Sequence, residues 1–495
     1  MSEPSAYRTG QIPQPPEPET IRQPVPVLRP EQPADPQPTV PQLADPAPGR
    51  AVPVAGSVGA AQVEAALAAR AAELDAADPL AAVRDRFVLD TPGGPRTVYL
   101  DGNSLGALPA GVLPRLTDVV TREWGELRIR SWEESGWWTA PERIGDRIAP
   151  LVGAAPGQIV VGDSTSVNVF KALVAAVRMA PEGRDEILVD AATFPTDGYL
   201  AESAARLTGR TVRAVPAAEI AVAAGPRTAV ALVNHVDYRT GRLHDLPGVT
   251  AALHRAGALA VWDLCHSAGA LPVALDADEV DLAVGCTYKY LNGGPGSPAY
   301  LYVRRALQPR FDSPLPGWNS HADPFGMAPG YEPADGAARG RVGTPEILSL
   351  LALDAALDVW DGVAVADVRD KSLRLTDFFL ECVAALVPAG RVESVTPRAH
   401  AERGSQVSLR CAGAGEVMRE LTARGIVGDY RRPDVLRFGF TPLYTRYADA
   451  LCAARGLAAV LQAVPDGVVP DGGTEAVPRA VSEAVPQVVL EEGTA

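Results

Sequence analysis

The chain has 495 residues, of which 47% are hydrophobic, and a formal net charge of −15. This length predicts a large apolar core and two domains. The negative charge argues against non-specific binding of nucleic acid, which requires a basic surface. No apolar run reaches the ~18–20 residues of a membrane span, and no signal peptide is recognisable, so we expect no association with a membrane.

The five cysteines follow no CxxC or CxH spacing. This scatter predicts neither a metal site nor a disulfide framework, and it favours a reducing cytoplasm as the compartment.

The two ends of the chain differ in composition from its middle. Proline makes up 14 of the first 50 residues. Because proline removes backbone donors and few large apolar groups accompany it, residues 1–57 are predicted to be a disordered extension, partly polyproline II. Such a segment either binds a partner that recognises proline-rich sequence or serves only as a tail. Residues 465–495 are similar in kind and are predicted to be a second disordered tail.

The first ordered part is predicted to begin near residue 58. Residues 131–138 hold three of the seven tryptophans, which belong either to the core or to a pocket for a flat substrate. The other features predicted here are a helix at 60–77, strands at 87–89 and 97–100 around a turn at 92–95, a loop at 101–106 and a helix at 109–125.

From residue 148 onward strands and helices alternate. Strands are predicted at 158–162, 187–189, 228–233, 259–262 and 282–285, and helices at 167–179 and 246–256. Alternation at this spacing predicts right-handed crossovers and a mostly parallel sheet. Functional side chains should then lie at the carboxyl ends of the strands.

The last third predicts a smaller α+β domain. It consists of a long helical region at 345–386 and a βαβ-like tail at 407–409, 414–424, 435–440 and 447–460. The predicted divisions of the ordered chain are therefore an N-terminal segment at 58–134, a large α/β domain at 135–335 and a small domain at 336–464.

One lysine follows a predicted buried strand. The chain contains only three lysines, at 171, 289 and 371, and Lys289 stands in the run TYKYLNGGPG. Unlike arginine, lysine can lose its proton and form a Schiff base. A surface lysine on a loop is the plain alternative, and a GC-rich genome would also make lysine scarce.

Polar residues at neighbouring strand ends complete a recognisable set. Asp263 follows an apolar strand, residues 164–166 (Ser-Thr-Ser) open a helix, and Phe194 and Asp197 follow another strand. Pyridoxal phosphate requires such residues: a lysine for its aldehyde, a carboxylate for its ring nitrogen, and a helix N-terminus for its phosphate. Each residue alone has a structural explanation, such as helix capping or packing. The coincidence of all of them favours the cofactor.

Four motifs carry a family resemblance. Residues 99–109 (YLDGNSLGALP), 194–197 (FPTD), 263–269 (DLCHSAG) and 288–296 (YKYLNGGPG) resemble the kynureninases, pyridoxal-phosphate enzymes of fold type I in the class V aminotransferase superfamily. The resemblance covers roughly residues 60–462. It implies hydrolysis of L-kynurenine, or its 3-hydroxy form, to anthranilate, or 3-hydroxyanthranilate, and L-alanine.

The resemblance also implies roles for individual residues. Lys289 would carry the cofactor and move the α-proton, Asp263 would pair with the ring nitrogen, and Tyr288 would contact the phosphate and assist proton transfer. Arg437 would bind the substrate α-carboxylate, for which its bidentate geometry is suited. The remaining cofactor contacts implied are Phe194 on the ring, Thr165 and Ser166 on the phosphate, with Asp197, His266 and Asn234 nearby.

A homodimer is implied as well, because in this family a tryptophan and a Thr or Asn reach the phosphate from the neighbouring subunit. Trp318 and Thr344 stand in those places. Gly343 and Thr344 lie where preference for the ring substituent is set.

Two alternatives remain open from the sequence. One is a class V relative such as a cysteine desulfurase, although Cys382, Cys411 and Cys452 stand in apolar or helical contexts rather than on a loop. The other is a non-catalytic scaffold whose proline-rich arm is the working part.

Overall fold

The computed structural model describes residues 59–89 and 97–463. The predicted tails and the turn at 92–95 lie outside the described residues. The helices are α1 Ala60–Ala76, α2 Val112–Asp118, α3 Ser131–Glu134, α4 Ala140–Ile148, α5 Thr165–Met179, α6 Pro195–Thr208, α7 Ile220–Ala223, α8 Leu246–Arg255, α9 Ile347–Ala356, α10 Val365–Leu386, α11 Ala414–Ala423 and α12 Tyr447–Ala463. The strands are β1 Phe87–Val88, β2 Val98–Tyr99, β3 Leu108–Pro109, β4 Ile159–Val161, β5 Glu186–Asp190, β6 Thr211–Val215, β7 Thr228–Asn234, β8 Leu259–Asp263, β9 Leu282–Gly285, β10 Tyr300–Val303, β11 Val392–Ser394, β12 Gln406–Cys411, β13 Ile426–Val427, β14 Asp429–Arg431 and β15 Val435–Gly439.

A seven-stranded sheet forms the larger part of the fold, in the order β4-β10-β9-β8-β7-β5-β6. Among the described strands of this sheet, β10 alone runs against its neighbours β4 and β9. The prediction of a mostly parallel sheet is therefore confirmed. Because β4 runs in the same direction as β5 to β9, the carboxyl ends of six strands meet at one edge.

Helices cover both faces of this sheet. On β7, Val230 and Leu232 face a core that includes α5 and α6, whereas Ala231 and Val233 face a core that includes α4, α8 and α9. Every residue of β7 is buried, as expected for a strand covered on both sides.

A second, antiparallel sheet in the order β11-β12-β15-β14 packs on α1, α10, α11 and α12 around its own core. The expectation of an α+β arrangement is confirmed, but a βαβ-like tail was wrong. The two strands of that prediction, β12 and β15, pair antiparallel, whereas the strand of this sheet that follows α11 is β14, which runs parallel to β12. The described residues form one compact unit, so the boundaries at 58–134, 135–335 and 336–464 stay predictions.

Two helical regions also differ from expectation. Pro109 ends a strand, and α2 begins at Val112 and continues as a π-helix over Val119–Leu127. The long region at 345–386 is interrupted, since Gly362 adopts a positive φ of 72° between the short helical turn Leu357–Trp360 and α10. Within the described residues, no helix combines the length and apolar character required to cross a bilayer.

Candidate active site

The carboxyl edge of the large sheet gathers the predicted polar residues. Thr165 follows β4, Phe194 follows β5, and Asn234 ends β7. Asp263 ends β8, and Lys289 comes four residues after β9. The topology therefore places all five at one edge, as expected for an open α/β sheet.

The backbone around Lys289 is held tightly by its neighbours. The hydroxyl of Thr287 donates to the carbonyl of Pro298 at 2.6 Å, and the amide of Gly106 donates to the carbonyl of Tyr288 at 2.7 Å. A Cβ on Gly106 would lie 2.3 Å from the Lys289 carbonyl oxygen, so only glycine allows this approach. The loop at 101–106 thus fixes the lysine turn.

The amine of Lys289 contacts a histidine rather than a carboxylate. Its Nζ lies 3.0 Å from Nε2 of His266. Burial, and then the charge of Lys289, hold the pKa of His266 well below its ordinary value. The imidazole is therefore neutral near pH 7, and its Nε2 accepts a hydrogen bond from Lys289.

Two buried carboxylates share one amide. Nδ2 of Asn234 donates to Asp197 and to Asp263, both at 2.8 Å, and the amide of Cys265 donates to the other oxygen of Asp263 at 2.7 Å. Burial, and then the charge of Asp263, raise the pKa of Asp197 well above its ordinary value. The nearby charge of Asp263 therefore disfavours the ionised form of Asp197, in the same direction as burial.

The amide of Asn234 is itself held in place. Its Oδ1 accepts from the Thr193 hydroxyl at 2.6 Å and from the Phe194 amide at 3.3 Å. Asn234 thereby connects the end of β7 with the first turn of α6. Thr193 had not been predicted as a site residue, and only its position before the FPTD run could have indicated it.

The N-terminus of α5 points into the same edge. The Ser164 hydroxyl caps the helix by accepting from the Val167 amide at 3.3 Å. The helix begins at Thr165, two residues earlier than predicted. The amides of Thr165 and Ser166 belong to the first turn, where backbone donors have no acceptor inside the helix, so this terminus can bind an anion.

Two aromatic side chains flank the edge. The Phe194 ring is 41% exposed and meets the Tyr238 ring edge-on with centroids 5.2 Å apart. The Lys289 amine lies 5.8 Å from the centre of the Tyr288 ring. Burial raises the pKa of the Tyr288 phenol, which therefore stays protonated at all ordinary pH values.

Arg437 lies on β15 with 1% of its surface exposed and already has a carboxylate partner. Its Nε donates to Asp429 at 2.6 Å, and a second donor contacts the other oxygen of the same carboxylate. That second donor, Nη2, also reaches the Ser104 hydroxyl at 3.2 Å, and Nη1 donates to the Tyr238 carbonyl at 2.5 Å. Asp429 and Ser104 were missed; Ser104 stands within the quoted motif at 99–109, whereas no sequence signal indicates Asp429.

Trp318 and Thr344 lie outside the contacts made by Lys289, and Thr344 lines a pocket together with Asp163 and Lys171. Within the described residues, no hydrogen bond or ring contact joins either of them to Lys289. Trp318 is 40% exposed and contacts the ring of Trp138 with centroids 5.7 Å apart. The three tryptophans in residues 131–138 contact one another, since Trp132 lies 5.9 Å from Trp137 and 6.2 Å from Trp138.

The residues at the sheet edge suit pyridoxal phosphate. The edge offers an amine without a carboxylate partner among the described residues, a buried pair of carboxyl groups bridged by one amide, and a helix N-terminus with free donors. These are the groups needed by the aldehyde, the ring nitrogen and the phosphate of that cofactor. The fold and this set of residues define a pyridoxal-phosphate-dependent enzyme of fold type I.

Comparisons with known proteins give the family. A model of the kynureninase C-terminal domain matches residues 368–457. A kynureninase of Deinococcus radiodurans is 52% identical over 394 residues, which cover 78% of this chain and 95% of the relative. A kynureninase of Burkholderia pseudomallei strain 1106a is 47% identical over 395 residues, which cover 78% and 94%. The chain belongs to the kynureninase family, whose members are pyridoxal-phosphate-dependent hydrolases of carbon–carbon bonds.

Solved structures support the fold class. A C-DES mutant with glycine linked covalently to its PLP cofactor aligns with a TM-score of 0.66 at 20% identity, over 76% of this chain and 98% of the other. The cysteine desulfurase CsdA from Escherichia coli aligns with a TM-score of 0.66 at 20% identity, over 78% and 99%. At these identities the likeness concerns the fold alone.

Proposed function

We propose that the chain hydrolyses the Cβ–Cγ bond of L-kynurenine to give anthranilate and L-alanine. The observation that carries this proposal is the half-buried Lys289 amine beside neutral His266, at the same edge as the Asp263 carboxylate. Relatives named kynureninase, about half identical over nearly their whole length, support the same activity.

The bound cofactor supplies an electron sink for the electron pairs released at the substrate's α- and β-carbons. Lys289 holds the cofactor and moves the α-proton, and His266 orients its amine. Asp263 provides the negative charge that keeps the ring nitrogen protonated. Asn234 fixes that carboxylate through the amide that it shares with Asp197.

Other residues orient the cofactor. Thr165, Ser166 and the first amides of α5 bind its phosphate, and Phe194 covers its ring. Tyr288 adds a phenol that stays protonated, because burial raises its pKa. That phenol contacts the phosphate and delivers a proton to the carbon from which the aromatic product leaves.

Arg437 anchors the substrate α-carboxylate. The contacts of its guanidinium with Asp429 and Ser104 hold it in one orientation before substrate arrives. A fixed, buried guanidinium binds a carboxylate without first losing side-chain freedom.

The working unit in this proposal is a homodimer in which Trp318 and Thr344 approach the partner's phosphate. Large apolar side chains are exposed on the surface that carries Trp318, including Trp124 (57%), Ile129 (77%) and Phe325 (70%). These are connected through the contacts of Trp132, Trp137 and Trp138, and a continuous apolar surface of this kind is typical of an interface. All five cysteines are free thiols, which supports a reducing cytoplasm as the compartment.

Product fluorescence tests this function. Purified chain loaded with pyridoxal phosphate should convert L-kynurenine into fluorescent anthranilate. A parallel assay with 3-hydroxykynurenine measures the preference associated with the small residues Gly343 and Thr344. A chain that binds the cofactor and turns yellow but releases no anthranilate would instead be another lyase of this superfamily.

No contact favours a cysteine desulfurase. Cys382 and Cys411 are buried, and burial raises the pKa of Cys382 to about 12. The exposed Cys452 lies within α12 rather than on a loop. None of these thiols has the lowered pKa and access that a nucleophilic cysteine requires. The scaffold alternative rests on the proline-rich arm, which lies outside the described residues.

A further inference from the structure

Lys171 is a buried cation that the proposed chemistry does not use. It lies on α5 with 1% of its surface exposed. Its Nζ donates to Oδ2 of Asp163 and to the carbonyl oxygen of Gly340, both at 2.7 Å. Burying an ammonium costs free energy unless its N–H groups are hydrogen-bonded, so the buried position of Lys171 requires an explanation.

One partner of Lys171 lies beside the anion-binding helix terminus. Asp163 immediately precedes the helix cap Ser164 and adopts a positive φ of 58°, and its carbonyl accepts from the Ala299 amide at 2.8 Å. Without a cation, its carboxylate would repel an anion bound at Thr165 and Ser166. The ammonium of Lys171 removes that repulsion.

The other partner begins the segment that carries Thr344. A Cβ on Gly340 would meet Leu301 at 3.0 Å and Val160 at 3.2 Å, so the segment lies directly on β10 and β4. Farther along, the Gly343 carbonyl accepts from Nδ2 of Asn319 at 3.0 Å. Asn319 follows Trp318. The hydrogen bond between Lys171 and Gly340 is therefore linked, through the segment at 340–344, to Thr344 and Trp318, the residues proposed to reach the partner subunit.

We propose that Lys171 is a positioning residue for the cofactor phosphate. It neutralises Asp163 next to the phosphate-binding turn at 164–166 and ties that turn to the segment at 340–344. The inference deepens the proposed function, because it takes from it that the anion at this turn is the phosphate of pyridoxal phosphate. A side chain that acts through the phosphate group should not change the affinity for pyridoxal, which has the same ring but no phosphate.

The test compares two ligands on matched variants. Affinities for pyridoxal phosphate and for pyridoxal, which lacks the phosphate, are measured by absorbance titration of the full chain. Lys171→Met should weaken pyridoxal phosphate by about ten- to thirtyfold and change pyridoxal by less than about twofold. Asp163→Asn should tighten pyridoxal phosphate by about two- to fivefold, because it removes the carboxylate that repels an anion at the phosphate-binding turn.

The affinity for pyridoxal phosphate should fall in Lys171→Met and rise in Asp163→Asn. Opposite changes of this kind distinguish a positioning role from a purely structural one. Asparagine tolerates a positive φ, so Asp163→Asn keeps the turn. Lys371→Met is the matched control, since Lys371 is also buried and paired with a carboxylate, Asp78, at 2.7 Å, without bonding to the phosphate-binding turn. It should leave the ratio of the two affinities unchanged.

Three results would overturn the proposal: weaker binding of the phosphate form in Asp163→Asn, parallel losses for both ligands in Lys171→Met, or a changed ratio in Lys371→Met. If Lys171→Met does not fold, Asp163→Asn decides alone, and failure to tighten the phosphate form contradicts the proposal. Because only binding is measured, a chain that binds pyridoxal phosphate but does not cleave kynurenine would refute the proposed function and leave this test intact.

Discussion

The surroundings of the lysines differ at two places in the molecule. In the helices α5 and α10, Lys171 and Lys371 each face a carboxylate at 2.7 Å. At the end of β9, Lys289 faces the neutral ring of His266 at 3.0 Å, and no carboxylate of the described residues lies within ion-pair distance. Burial lowers the pKa of both Lys171 and Lys371, and in each case the carboxylate partner acts against that effect by favouring the charged form. The difference separates two lysines held in buried ion pairs from the lysine that is proposed to hold the cofactor.

Removing the reactive lysine should have the largest effect. We expect Lys289→Ala to lower the rate of anthranilate formation by at least about 10⁴-fold, because the residue both holds the cofactor and moves the α-proton. The yellow band of the lysine-bound cofactor should also disappear. Stopped assays with L-kynurenine and absorbance spectra measure the two effects. A variant that keeps both anthranilate formation and the yellow band would show that another group holds the cofactor and moves the α-proton.

Removing a supporting lysine should affect stability instead. Lys371 and Asp78 are each 3% exposed at their side chains, and Lys371 also donates to the Pro442 carbonyl at 2.5 Å. Lys371→Met leaves the Asp78 carboxylate buried without its cation, which should lower the free energy of unfolding by about 3–5 kcal/mol. Urea unfolding measures this loss.

The rate constants of the folded Lys371→Met variant should stay within about twofold of wild type, since Lys371 makes no contact with the candidate site. The comparison fails if turnover falls as far as in Lys289→Ala while stability is unchanged.

The smallest expected effect is a change in stability caused by Asp101, a carboxylate that lacks a close cation. Burial, and then the charge of Asp429, raise the pKa of Asp101 to about 6. Between about pH 4 and pH 6 the unfolded chain has lost this proton while the folded chain keeps it, so stability falls as the pH rises through that window. Asp101→Asn removes the penalty.

At pH 8 the Asp101→Asn variant should therefore be more stable than wild type by about 1–2 kcal/mol, and at pH 4 the two should be equal. Urea unfolding at both pH values measures the difference. An equal gain at both pH values would assign the effect to packing rather than to the charge.

The strand ends were the most predictable part of the site. Short apolar runs followed by polar residues correctly predicted β7, β8 and β9 to within a residue or two, and parallel topology then required their ends to meet. Lys289, Asp263 and Asn234 are found together for that reason. Their roles toward the cofactor remain predictions.

Residues that meet through antiparallel pairing were not predictable. Asp429 lies opposite Arg437 because β14 pairs with β15, and no local pattern in that polar, arginine-rich stretch indicates the register. β10 was missed because its short apolar run follows a glycine-rich loop.

All three lysines of the chain lie inward, with Lys171 and Lys371 buried and Lys289 partly exposed at the sheet edge. The outer surface therefore carries its side-chain positive charge on arginine. To a reagent that acylates lysine side chains, the folded chain exposes one target, the amine of Lys289. Acylation of a lysine side chain would therefore report on Lys289, and the cofactor proposed to bind there would protect it.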